Sequence, residues 1–185
     1  MTSPGSLLQL DTKHFWLPCG EKRYHYVAID CFGKMKFSRV YKNLSSRKAK
    51  QFFQEVRNKF PFHIRNVQDR CWEFAKEFDK LLQEEEIPHY FTYPSSPKQN
   101  SIVERAIQTD LKEFYEQGNL VEDINEQNRL LEIWDETYNN VRPHQKLDFL
   151  TPNEYNERHR MKHFIFKPLS VTYVLDQRDR VNLYN

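Results

Sequence analysis

The chain has 185 residues, and 28 Lys and Arg against 26 Asp and Glu give it a formal charge of +2, too small to select or exclude a nucleic-acid partner. Apolar residues at 38%, charged at 29%, aromatic at 15% and only four glycines exclude a disordered or low-complexity chain and predict one globular domain. No run reaches the roughly 20 apolar residues of a membrane span, Met1-Thr2-Ser3-Pro4-Gly5 lacks a secretory pattern, and Cys19, Cys31 and Cys71 are too scattered for a disulfide framework or a Cys-x-x-Cys zinc pair. The expected location is the cytoplasm.

Leu7 to Phe15 opens with alternation, Leu8 and Leu10 against Gln9 and Asp11, which predicts a strand with one buried face. Tyr24 to Ile29 and Lys34 to Tyr41 are two further aromatic and β-branched runs, joined through Asp30-Cys31-Phe32-Gly33, so an antiparallel three-strand meander is expected.

The period then changes. Ala49, Phe52, Phe53, Val56 and Phe60 fall at helical spacing after Ser45 and Ser46, either of which suits an N-cap, and Pro61 ends the helix. Ile64 to Gln68 reads as a strand, Phe74 to Leu82 as an amphipathic helix, and His89 to Tyr93 as another strand. After the loop from Tyr93 to Gln99, Val103, Ile107, Leu111 and Phe114 mark a helix ending near Gly118. A further helix turns Ile124, Leu131, Trp134 and Tyr138 inward and stops before Pro143; a last one follows Thr151-Pro152. Strands around an Asp-Gln-Arg-Asp turn are expected after His163, dividing the chain into a core, 1–160, and a small C-terminal β appendage, 161–185.

A meander followed by β-α-β-α-β implies a mixed five-stranded sheet flanked by helices, the ribonuclease-H-like α/β order. Three acids stand where such a fold does phosphodiester chemistry: Asp11 on the first strand, Asp69 after the fourth, and Glu104 in the first turns of a later helix. Hard divalent cations take a few carboxylates and leave room for phosphate oxygens, so three converging acids would suffice. Each acid also has a plain structural reading. Asp69 suits an N-cap, Glu104 complements a helix dipole, and Asp11 suits a strand end at the solvent boundary.

Four stretches, with Tyr26 to Gly33 beside them as a second strand and turn, carry a resemblance. Leu10-Asp11-Thr12, Val67-Gln68-Asp69-Arg70-Cys71-Trp72-Glu73-Phe74, Ser96-Pro97-Lys98-Gln99-Asn100-Ser101-Ile102-Val103-Glu104-Arg105, and Tyr138 to Leu147 with Thr151-Pro152 resemble the integrase core domain of DDE-type insertion-sequence transposases and retroviral integrases, from about Leu8 to Tyr155. The third stretch is the most specific match, and the 34 residues between Asp69 and Glu104 fit the family interval. The resemblance implies magnesium-dependent cleavage and joining of DNA strands. Asp11, Asp69 and Glu104 would be the catalytic acids and the ligands of two Mg2+ ions, with Mn2+ as substitute.

The resemblance further implies double-stranded DNA as partner, both transposon ends and target, and a homo-oligomer on that DNA, with no membrane. On the helix of Glu104, the edge formed by Lys98, Asn100, Arg105, Gln108 and Lys112 is expected to meet the DNA backbone, and Arg142, His144 and Lys146 form a second cluster. The run Arg158, His159, Arg160, Lys162 and His163 has two readings, a third DNA contact or the solvated face that a charge run on a short helix usually is. Three departures stand out: Arg70-Cys71 replace Asn-Gly, one residue is missing before Asp69, and Ser101 replaces glycine. They open a rival reading, a catalytically impaired DNA-binding remnant of a transposase.

Overall fold

The computed structural model describes residues 2–70, 72–92 and 99–165, the side chains of 161–165 apart. Of the β appendage expected over 161–185, residues 166–185 lie outside the described residues, and 161–165 continue the last helix.

Five strands form one sheet in the order β3-β2-β1-β4-β5. β1 (Leu8–Trp16), β2 (Lys22–Asp30) and β3 (Lys36–Tyr41) are the antiparallel meander; β4 (Val67–Asp69) and β5 (His89–Phe91) run parallel to β1. This is the expected ribonuclease-H-like mixed sheet. The helices are α1 (Ser46–Lys59), α2 (Glu77–Glu84), α3 (Ser101–Glu113), α4 (Ile124–Asn140) and α5 (Pro152–Ile165). Ser45 caps α1 by accepting from the Lys48 amide at 3.2 Å. At α5, Thr151 Oγ1 accepts from the Glu154 amide while Glu154 answers on the Thr151 amide, a reciprocal capping box.

Strand alternation sorts the side chains onto two faces. Leu8, Leu10, Tyr26, Ala28, Phe37 and Val67 turn to one side and close the main core with Phe52, Phe53 and Val56 of α1 and Phe78 and Leu82 of α2. Val27 and Ile29 turn to the other side and meet Val103, Ala106 and Ile107 of α3. Along the chain the two faces therefore divide β1 into Leu8 and Leu10 on the α1 side and Gln9 and Asp11 on the α3 side.

The α3/α4 side also buries charge. Lys36 Nζ lies 2.6 Å from Asp110 of α3 and 2.6 Å from Asp135 of α4, and Asp135 further accepts from the Ser38 amide and hydroxyl. Burial alone would favour loss of the Lys36 proton, but the two carboxylates outweigh it and hold the ammonium above its usual range. Burial raises Asp135 to about 6 against the pull of Lys36.

Candidate functional site

Asp11 sits on β1 opposite Val27, and its Oδ1 accepts from the Thr12 amide at 2.8 Å. Glu104 projects from the first turn of α3. Although far apart in sequence, both line one cleft of about 560 Å3 with Thr12, Lys13, Ser101, Arg105 and Gln108.

The helix is placed there by a residue that sequence reasoning passed over. Asn100 stands at the N-cap of α3 without a capping side-chain bond. Buried Gln9 does that work from β1: its Oε1 accepts from the Ile102 and Val103 amides at 3.2 Å, and its Nε2 donates to the Gln99 carbonyl at 2.6 Å. Gln9 thereby satisfies two of the amides that a helix start leaves unpaired. Its place on the strand, two residues before Asp11 and on the same face, was the available signal.

Asp69 does not join the cleft. It is fully buried on the α1/α2 side, where its Oδ2 contacts His89 Nε2. Asp79 of α2 holds the other ring nitrogen at 3.1 Å, and Phe78 and Phe91 pack against the imidazole. Burial opposes a charged His89, but hydrogen bonds and charges from Asp69 and Asp79 outweigh it and raise the imidazole above its usual range. The register explains the placement. Leu8 pairs with Val67 and Gln9 with Gln68, so Asp69 follows the faces of Leu8 and Leu10, opposite to that of Asp11. Asp69 is not an N-cap either, since α2 begins at Glu77.

Just past the end of β4 comes Arg70, whose guanidinium lies 3.3 Å from Glu104 Oε1. Two divalent ions need carboxylates gathered around them. Here two acids share the cleft, a cation already contacts one of them, and the third acid is behind the sheet. Among the described residues no three His, Cys, Asp or Glu side chains are gathered to hold an ion. The residues present do not fit a two-ion site in this arrangement.

The expected DNA-contacting residues separate in the same way. Arg105, Gln108, Lys112 and Lys146 are exposed. Asn100 is buried and donates to the Leu10 carbonyl at 3.2 Å, because the N-cap position turns it toward β1. Arg142 makes a two-pronged pair with Glu113 at 2.7 and 2.6 Å, holding that carboxyl below its usual range. His144 is buried against Tyr138, and burial lowers its pKa. Lys98 lies outside the described residues. Exposed Lys13, beside Asp11 in the cleft, adds a cation that the sequence reading did not single out.

A five-stranded mixed sheet in this order, with helices on both faces, is the ribonuclease-H-like arrangement. Residues 85–152 match the family model described as the integrase core domain. Among solved structures, the catalytic core domain of BIV integrase is 20% identical with a TM-score of 0.65, over 86% of this chain and 99% of that one. The HTLV-2 integrase catalytic core domain in complex with magnesium is 17% identical with a TM-score of 0.65, over 83% and 97%. A chain of the simian T-cell lymphotropic virus intasome solved with PP2A regulatory subunit B56 gamma is 17% identical with a TM-score of 0.66, over 78% of this chain; this chain spans about half of its length, 51%. No curated protein matches in sequence. The chain has the fold of retroviral integrase catalytic cores. Among the described residues no helix is long and apolar enough to cross a membrane.

Proposed function

We propose that this chain is the DNA-handling core of an integrase- or transposase-type recombinase, cytoplasmic and oligomeric on double-stranded DNA, with transposon ends and target as its partners. The observation that carries this reading is the cleft between β1 and α3, where Asp11 and Glu104 face the exposed cations Lys13 and Arg105, with Lys112 further along the same helix. Such cations give affinity through phosphates without reading sequence.

In its catalytic form the function is polynucleotidyl transfer by Asp11, Asp69 and Glu104 with two Mg2+ ions, or Mn2+ in their place. That form requires Asp69 on the cleft face. The contact of Asp69 with His89 behind the sheet favours the second form, a core that binds DNA and does not cut it.

Gel retardation of duplex DNA tests the common reading. Binding is expected, and Arg105→Glu combined with Lys112→Glu should abolish it; undiminished binding refutes the cleft as the DNA site. Strand nicking with Mg2+ that both Asp11→Asn and Glu104→Gln abolish would establish the catalytic form instead of the binding form.

A further inference from the structure

We infer that Arg70, and not Asp69, is the residue brought to the cleft at the end of β4, and that its guanidinium supplies beside Glu104 the positive charge that metal ions would otherwise supply. This rests on the cleft being the nucleic-acid site.

The parallel register runs Leu8 to Val67 and Gln9 to Gln68, so that Asp69, two residues past Val67, keeps the face of Leu8, and Arg70, two past Gln68, keeps the face of Gln9. Successive side chains on a strand point to opposite faces, so a shift of one residue exchanges everything that the two faces carry. The contacts agree on both sides of the sheet. Gln68 donates to the Gln99 carbonyl and Arg70 reaches Glu104, both toward α3. Val67 and Asp69 turn the other way, into the core and onto His89.

No change of rotamer repairs this. Asp69 is fully buried, its carbonyl accepts from the Thr92 amide at 2.9 Å, and its carboxylate is held by a histidine that Asp79, Phe78 and Phe91 fix in turn. To reach Glu104 the carboxylate would have to cross the plane of the sheet. One residue added between Gln68 and Asp69 would put Asp69 where Arg70 now stands. A single substitution, Arg70→Asp, would put a carboxylate there without touching the register, and because Arg70 is exposed this variant keeps the fold.

Titration calorimetry with MnCl2 on the full chain tests the inference. The native chain is expected to take up Mn2+ at least about 10-fold more weakly than Arg70→Asp, the smallest loss typical of disturbing a metal site. Asp69→Asn should leave native uptake unchanged. The gain in Arg70→Asp should vanish when Asp11→Asn is added, and an alanine inserted after Gln68 should produce the same gain as Arg70→Asp. Strong uptake by the native chain that Asp69→Asn removes, or no gain from Arg70→Asp, overturns it. Duplex binding measured in parallel without metal addresses the proposed function separately: loss of binding alongside the expected metal pattern sinks the DNA reading alone.

Discussion

Lys36 and Asp110 form a fully buried ion pair, Nζ to Oδ1 at 2.6 Å, that ties β3 to α3. Trp134 Nε1 donates to the same oxygen at 2.7 Å, and Asp135 completes the triad from α4. Removing one partner of a buried ionic group leaves the others uncompensated. Lys36→Met strands two carboxylates and should cost about 3–5 kcal/mol, read as a lower urea midpoint at unchanged slope. Simultaneous replacement of Lys36, Asp110 and Asp135 by apolar residues should recover most of that loss.

His25 sits beside this triad, fully buried, its Nε2 standing 3.7 Å from Asp110 Oδ2, too far for a hydrogen bond. Burial pushes its pKa down to about 4 despite the Asp110 charge. The unfolded imidazole titrates near 6.5, so between about 6.5 and 4 the unfolded state binds the extra proton and acid destabilises the fold. The His25 contribution is about 3 kcal/mol across that window. Asp135 acts in the opposite sense, because its raised pKa makes the folded state the better proton acceptor between about 4 and 6. His25→Phe should therefore lose less thermal stability than the native chain on going from pH 7 to pH 5, as calorimetric melts would show.

Gln9 holds the start of α3 from the sheet. Gln9→Ala removes the acceptor of the Ile102 and Val103 amides and should cost about 2 kcal/mol. Amide exchange at those two residues should accelerate well before the rest of α3 does.

The sequence puts Lys112 on the expected DNA-facing edge and Arg142 in the second basic cluster; in the structure Lys112 is exposed and Arg142 is paired with Glu113. Lys112→Ala should reduce the slope of log binding constant against log salt by about one. Arg142→Ala should leave that slope unchanged and lower stability instead, since Arg142 is engaged by Glu113.

Gly33, in the turn between β2 and β3, has no room for a side chain. An added Cβ would lie 1.8 Å from Asn156 Oδ1 of α5. Gly33→Ala should cost about 1–3 kcal/mol through overpacking, and Asn156→Gly in the same chain should return most of it in a double-mutant cycle.

The alternation of Leu8 and Leu10 and the stripe of Val103 and Ile107 made β1 and α3 legible, because period and burial are local properties of the chain. The faces of β4 were not. Val67–Asp69 is three residues long, too short for an alternation to show, and which way Asp69 points depends on where β4 joins β1. The missing residue before Asp69 could be seen in the string of letters, but its effect is a matter of pairing. Lys36, Asp110 and Asp135 escaped notice for another reason: charged residues read as surface unless a partner far along the chain is known. Asn100 is buried against β1 and not on the expected polar edge, because a helical wheel does not describe the cap.

The two-sidedness of β4 makes it an all-or-nothing element. A single codon lost upstream of Asp69 inverts what the cleft receives while the hydrophobic packing, the strand count and the outline of the domain survive. A chain altered in this way keeps its packing while the cleft exchanges a carboxylate for a guanidinium. Outline and the charge offered at the cleft are thus set independently, by the parity of one short strand.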